Sequence, residues 1–148
     1  MCSTSAATRA CSSHCGPGDT GVAHYSRIDK IVIDVPAPAH DREVAFWAAA
    51  TGRDPKHIEQ YPEYHFFDLP TEHIGLLTQR LDDGPGRVHV DIHTDDLEAE
   101  VARLEALGAE RVRRSHAWWI MRDPAGLLFC VLPDPPGRLN DDNAQRWE

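Results

Sequence analysis

His89 and Asp91 stand two apart within an apolar-polar alternation, so both side chains leave the chain on the same face. A carboxylate beside an imidazole can orient the ring and hold its charge, and such a pair suits general acid-base work. The plainer alternative is a histidine that only hydrogen-bonds within a wall while Asp91 reaches solvent. Cys130 lies in the apolar run from Leu127 to Leu132. A thiol there is by default a small buried hydrophobe, nucleophilic only where a positive charge such as Lys30 or His89 lowers its pKa. Trp118 and Trp119 are consecutive on an extended segment, so at most one of them lines a cavity. An aromatic wall suits planar ligands, and the other ring packs under a helix or at an interface. His40, His57, His65, His73, His93 and His116 show neither helical pairing with a carboxylate nor a zinc-protease spacing, and read as surface or turn residues.

These residues need elements to position them. Ile31, Ile33 and Val35 alternate with Lys30, Val32 and Asp34, the period of a strand with one buried face, and Pro36 and Pro38 end it. A helix follows over about 41 to 51, with Val44, Trp47, Ala48 and Thr51 on one side and Gly52 placed to terminate it. Trp47 belongs to that stripe and Phe46 does not. Val88, Val90 and Ile92 then alternate with His89, Asp91 and His93, so the apolar set faces a helix and the polar set faces away. That helix starts at Asp95-Asp96-Leu97-Glu98, a capping signature, and runs through Leu97, Val101, Leu104 and Leu107 to Gly108. Short strands are expected at about 63 to 69, 73 to 80, 110 to 114, 116 to 122 and 126 to 132, with Asp123-Pro124-Ala125-Gly126 as a turn. His65 to Leu69 with Gly75-Leu76-Leu77 is answered, at one constant interval, by His116 to Ile120 with Gly126-Leu127-Leu128. The chain therefore holds two copies of a βαβββ unit, about 27–80 and 87–132, in one α+β domain. Such a curled mixed sheet carries its helices outside and leaves a cavity between the copies.

At 148 residues and 41% apolar content the chain fits one packed domain. It lacks the roughly 18 consecutive apolar residues of a spanning helix and the apolar centre of a secretory signal, which gives a cytoplasmic expectation. The net charge of −9, with Arg111-Val112-Arg113-Arg114 as the densest basic run, argues against nucleic-acid and membrane partners and for small molecules. Residues 1–24, which contain Cys2, Cys11 and Cys15, read as a flexible tail. Cys11-Ser12-Ser13-His14-Cys15 within it offers three zinc-type ligands but no second cluster. Residues 133–148 read as a loose C-terminal tail. No phosphate-cradling loop, dinucleotide fingerprint or nucleophile elbow is present.

The order of elements, the Phe46-Trp47 pair and the stretch Trp118-Trp119-Ile120-Met121-Arg122-Asp123-Pro124-Ala125-Gly126-Leu127-Leu128-Phe129-Cys130 resemble the glyoxalase-like domains of the vicinal oxygen chelate superfamily. The resemblance spans most of 26–132. It implies that metal-using members place His, Gln or Glu ligands on the first and last strands of each unit. In this chain those positions hold Lys30, His89 and Cys130, with Gln79 as the fourth by the internal repeat, or Leu76 by the alternative alignment. Only His89 is a strong ligand there, and a protonated lysine repels a divalent ion.

The residues and the resemblance together imply a small-molecule-binding protein without a bound divalent metal, which acts on or sequesters its ligand. If it is an enzyme, His89 is the acid-base group with Asp91 beside it, Lys30 stabilises charge, and Gln79, Cys130 and a tryptophan position the ligand. A metal-dependent lyase, isomerase or dioxygenase with His89 as a ligand is the alternative, and a drug-sequestering resistance protein is a third. A homodimer is compatible with all three.

Overall fold

The structure is a computed structural model that describes residues 23–148. The expected tail, with Cys2, Cys11, Cys15 and the candidate zinc ligands, lies outside the described residues except for its last two positions. Of these, His24 already belongs to a strand.

The first unit runs β1 (His24–Pro36), a short 3-10 turn (Ala37–Ala39), α1 (His40–Thr51), β2 (Lys56–His57), β3 (Tyr64–Phe67) and β4 (Gly75–Leu81). The second runs β5 (Arg87–Thr94), α2 (Leu97–Ala106), β6 (Glu110–Ser115), β7 (Trp118–Arg122) and β8 (Leu128–Pro133). A last strand, β9 (Gln145–Trp147), closes the chain. All join one mixed sheet in the order β2-β3-β4-β1-β5-β8-β7-β6, with β9 on β1. Each unit therefore reads outward from its own first strand in the same way, and the two meet back to back at the antiparallel β1–β5 pair. The doubled α+β architecture is as the sequence pattern predicts, with two helices lying outside the sheet.

α2 is the better anchored helix. Asp96 Oδ1 accepts from Ala99 N at 3.0 Å, and the αL glycine Gly108 (φ 101°) lets the chain turn away at the other end. Asp95 does not cap the helix; its Oδ1 accepts from Tyr25 N at 2.7 Å and ties the helix entrance to β1. Under α2, Val101, Met121, Phe129 and Val131 form a buried cluster, with Leu97, Leu104, Val90 and Ile92 against it. Leu107, expected on the same stripe, is exposed because it falls at the helix C-cap. α1 packs chiefly on β4, and its predicted stripe is only half-buried; its one buried residue is His40.

Two expectations are corrected. On β1 the more deeply buried set is not Ile31, Ile33 and Val35, because Val32 (1% exposed) and Asp34 (2%) are covered and Ile31 (38%) is not. The curl of the sheet covers the inner face of this central strand. The outer face lies between α1, seated over β4, and α2, seated over β8, and is left partly open. The C-terminal run is not loose either. β9 pairs antiparallel with the start of β1, Trp147 Nε1 donates to Ser26 Oγ at 2.8 Å, and Asp134 and Leu139 are buried.

Candidate functional site

Register alone brings the candidate residues together. Across the antiparallel β1–β5 pair Lys30 faces Asp91 and Val32 faces His89; β5–β8 sets Asp91 against Cys130, and β1–β4 sets Asp34 against Gln79. Residues opposite one another in a sheet share a face. Lys30, Asp34, Gln79, His89, Asp91 and Cys130 therefore project to the inner side of the curl. That side encloses a cavity of about 280 Å³ between the two units.

His89 occupies the centre of this inner face. Its Nδ1 lies 3.1 Å from Asp34 Oδ2 and its Nε2 lies 3.4 Å from Asp91 Oδ1, while Arg87 Nε donates to the same Asp34 oxygen at 2.8 Å. Burial alone would lower the histidine's pKa. The carboxylates of Asp34 and Asp91, the larger opposing causes, outweigh it and raise the value to about 11. His89 is thus an imidazolium at neutral pH, held between two carboxylates. Burial pushes the Cys130 thiol up, and the His89 contact only partly offsets this, so the sulfur stays protonated. Asp34 Oδ1 is buried and has no hydrogen-bond partner.

Lys30 lines the same cavity, but its ammonium is hydrogen-bonded to Asp29. Asp29 also accepts from Arg27. Burial would raise this carboxyl, yet Lys30, His93 and Arg27 together hold it down to about 2. The lysine's charge is therefore answered locally. Gln79 and Trp118 line the cavity as expected. Trp119 does not: it packs against the cluster under α2, its Nε1 donates to Glu98 Oε1 at 3.2 Å, and Arg111 and Arg114 lie over its ring. Consecutive strand residues must diverge, so only one tryptophan can serve a ligand.

Several residues in and around the cavity escape a reading of the sequence. Asp34 is legible there only as a polar member of the alternation it shares with Lys30. Tyr61 and Tyr64 line the cavity from the first unit; Tyr61 meets Trp118 of the second, with ring centroids 5.7 Å apart at 73°, and Tyr64 packs edge-on against Tyr61. Burial pushes the Tyr64 phenol well above its usual pKa, so it is a donor rather than a base. His93, expected at the surface, is buried: Nδ1 lies 2.8 Å from Asp134 Oδ1 and Nε2 lies 3.7 Å from Asp29. Its partner Asp134 lies in the run expected to be loose. His40 is likewise buried rather than exposed.

The sequence resemblance implies a possible divalent metal, and the donors present can be set against one. Ligand atoms of His89, Asp91 and Cys130 all lie within 4.8 Å of one another. Nitrogen, oxygen and sulfur donors suit a zinc-type ion, and Asp34 on the far ring nitrogen is the partner that a ligating imidazole ordinarily has. These three fit. Lys30, at the position the resemblance implies on the first strand, does not.

Residues 30–132 match the sequence model of a family described as a glyoxalase-like domain. No curated protein matches the chain in sequence. Among solved structures, methylmalonyl-CoA epimerase from Mycobacterium tuberculosis is similar at 19% identity, with 74% of this chain and 88% of that chain covered and a TM-score of 0.53. A structure described as NAD-dependent benzaldehyde dehydrogenase from Legionella pneumophila aligns at 12% identity over 72% of this chain and 98% of its own, with a TM-score of 0.56. A variant of 4-hydroxymandelate synthase from Streptomyces coelicolor aligns at 16% identity over 84% of this chain and 53% of its own, with a TM-score of 0.53. At these identities the likeness is one of fold.

Proposed function

The chain belongs to the glyoxalase-like domain family of the vicinal oxygen chelate superfamily, and from that premise we propose that it binds a small organic molecule in the cavity between its two units, against the fixed positive charge of His89. The observation that carries this reading is the imidazolium set between Asp34 and Asp91 on the inner face of a partly open cavity with aromatic walls. At about 280 Å³ the cavity falls just below the range of drug-sized pockets, so the ligand is a small metabolite-sized molecule.

In this reading His89 replaces a divalent ion as the electrophilic group. With its pKa near 11 it is a poor general base at neutral pH; Nδ1 is taken by Asp34, so its chemistry is to donate from Nε2, which only approaches Asp91 at 3.4 Å, to an oxygen that carries or develops negative charge. Asp34, braced by Arg87, fixes the ring from the far nitrogen. Gln79 and Trp118 position the ligand, and Tyr64 offers a phenolic donor. Lys30, neutralised by Asp29, supports the wall rather than the charge. The names of the similar structures span an epimerase, a synthase and a dehydrogenase, so no single reaction carries over, and sequestration and turnover are both forms of this binding function.

A second reading rests on the convergence of His89, Asp91 and Cys130, which would hold a zinc-type ion with Lewis-acid chemistry to offer. One experiment separates the two. Zinc titration by calorimetry and His89 imidazole nitrogen shifts at pH 8 are measured on wild type and on His89→Gln and Cys130→Ser. The imidazolium reading expects a doubly protonated ring and no submicromolar zinc binding. Stoichiometric zinc binding that both substitutions abolish would establish the metal reading instead.

A further inference from the structure

The run Arg111-Val112-Arg113-Arg114 is the densest basic stretch of the chain, and the structure divides it between two faces. On β6, Arg111 faces Met121 of β7, yet Arg113 faces Ile120 and Arg114 faces Trp119, with a register shift between Arg111 and Arg113. Met121 and Trp119 belong to the helix side of the sheet, and Ile120 lines the cavity. An uninterrupted strand would send Arg113 to the helix side with Arg111. The bulge inserts one residue, so Val112 and Arg113 both face the cavity and Arg114 returns to the outside.

The arginines then differ in their partners. Arg111 pairs with Glu98 and Glu105, and Arg114 with Glu98. Of the other cationic side chains around the cavity, Lys30 is held by Asp29, Arg87 by Asp34, His89 by Asp34 and Asp91, and His93 by Asp134. Arg113 lines the cavity from its solvent-exposed rim and has no ion pair or side-chain hydrogen bond among the described residues. Its cavity neighbours on β6 and β7 are Val112, Ser115, Trp118 and Ile120, none of which offers a counter-charge.

We propose that Arg113 is a specificity-determining residue that takes the carboxylate of a small planar ligand whose ring lies against Trp118 and the Tyr61 ring facing it. The proposal rests on the cavity being a ligand site. A guanidinium presents a planar fork that matches a carboxylate with two parallel hydrogen bonds, and the stacked walls set the ring plane. The bulge places Arg113 on the cavity side of the edge strand β6, where it is exposed at the rim and open to a ligand's charge.

Benzoate and benzamide are the probes, since they share a ring and differ in charge, and calorimetry on wild type, Arg113→Gln, Arg114→Gln and Trp118→Ala is the measurement. Wild type is expected to bind benzoate at least ~10-fold more tightly than benzamide, the scale of a charged hydrogen bond. Arg113→Gln should reduce that ratio to about one while benzamide affinity is kept, as expected for loss of the charged bond alone. Arg114→Gln should leave the ratio intact, and Trp118→Ala should weaken both probes. An undiminished ratio in Arg113→Gln overturns the proposal. Equal binding of both probes to wild type overturns it too and leaves the cavity reading standing. Failure of wild type to bind either probe, or binding indifferent to Trp118→Ala, removes the cavity reading and this proposal with it.

Discussion

The two units share a fold but are held together by different chemistry. In the second, α2 lies on an apolar cluster of Val101, Met121, Phe129 and Val131, and its entrance is capped by Asp96. In the first, α1 has no side-chain cap and buries only His40, whose ring lies 5.1 Å from His65, itself 5.3 Å from His57. His40 Nε2, His65 Nδ1 and Thr78 Oγ1 have no hydrogen-bond partner there. Unpaired buried polar atoms cost free energy that apolar contacts do not, so α2 is the firmly held helix and α1 the looser one. The cavity takes residues from both units: Cys130 and Trp118 come from the second, and Gln79, Tyr61 and Tyr64 from the first.

The sharpest test of that asymmetry is Glu100. It is fully buried on α2, accepts from Ser26 Oγ at 2.9 Å and Arg103 Nε at 2.7 Å, and lies 2.8 Å from His24 Nε2. Burial would raise its pKa, but Arg103, His24 and Ser26 hold it down. The same network reaches β9, because Trp147 donates to Ser26 and stacks 3.7 Å under Arg103. Breaking a buried ion pair from one side costs roughly 3–5 kcal/mol, so Glu100→Ala should lose most of the domain's stability in urea unfolding. Nothing on α1 corresponds to it, since Glu43 bonds only within its own helix, to Trp47. A loss from Glu100→Ala no larger than that from Glu43→Ala would erase the distinction between the two helices.

A milder version compares matched residues. Val101, fully buried under α2, should cost about 2–3 kcal/mol as Val101→Ala, whereas Val44→Ala on half-buried α1 should cost under about 1. Urea midpoints on the two variants measure it. Equal losses would mean that α1 is packed as firmly as α2.

The same contrast explains what is legible in the sequence. The strand and helix periods, the Asp-rich start of α2 and the repeat of one unit in the other are local patterns, and they carry the architecture and the inward position of His89, Asp91, Gln79 and Cys130. They do not carry contacts between distant segments. Asp34 reaches His89 only through the β1–β5 pairing, and His93 meets Asp134 only because β8 runs beside β5. The C-terminal run has no periodicity of its own, yet it is ordered by Trp147 and Asp134 bonding back onto β1 and β5. Lys30 points inward as its strand period implies, but its partner Asp29, one residue away, decides that its charge is spent locally.

The smallest expected effect is in pH dependence, and it runs in opposite directions at two places. Burial lowers the pKa of His40, with Arg80 adding to it, and burial with His40 and His57 nearby lowers that of His65. A histidine whose folded value is depressed binds protons more readily when unfolded, so its contribution is complete above the ordinary value of 6.5 and is lost as pH falls below it. His89 has the reverse sign: raised to about 11, it contributes fully below 6.5, and that contribution is lost as pH rises through 11. Acidification from about pH 7.5 to about 5.5 should therefore loosen α1 while the His89 cluster holds. Amide exchange corrected for intrinsic rates should show faster opening across His40–Thr51 and unchanged protection across Leu97–Ala106, and His65→Gln should flatten the α1 response. Equal responses in the two helices, or an α1 response that His65→Gln leaves intact, would assign the looseness of α1 to its packing rather than to the buried imidazoles.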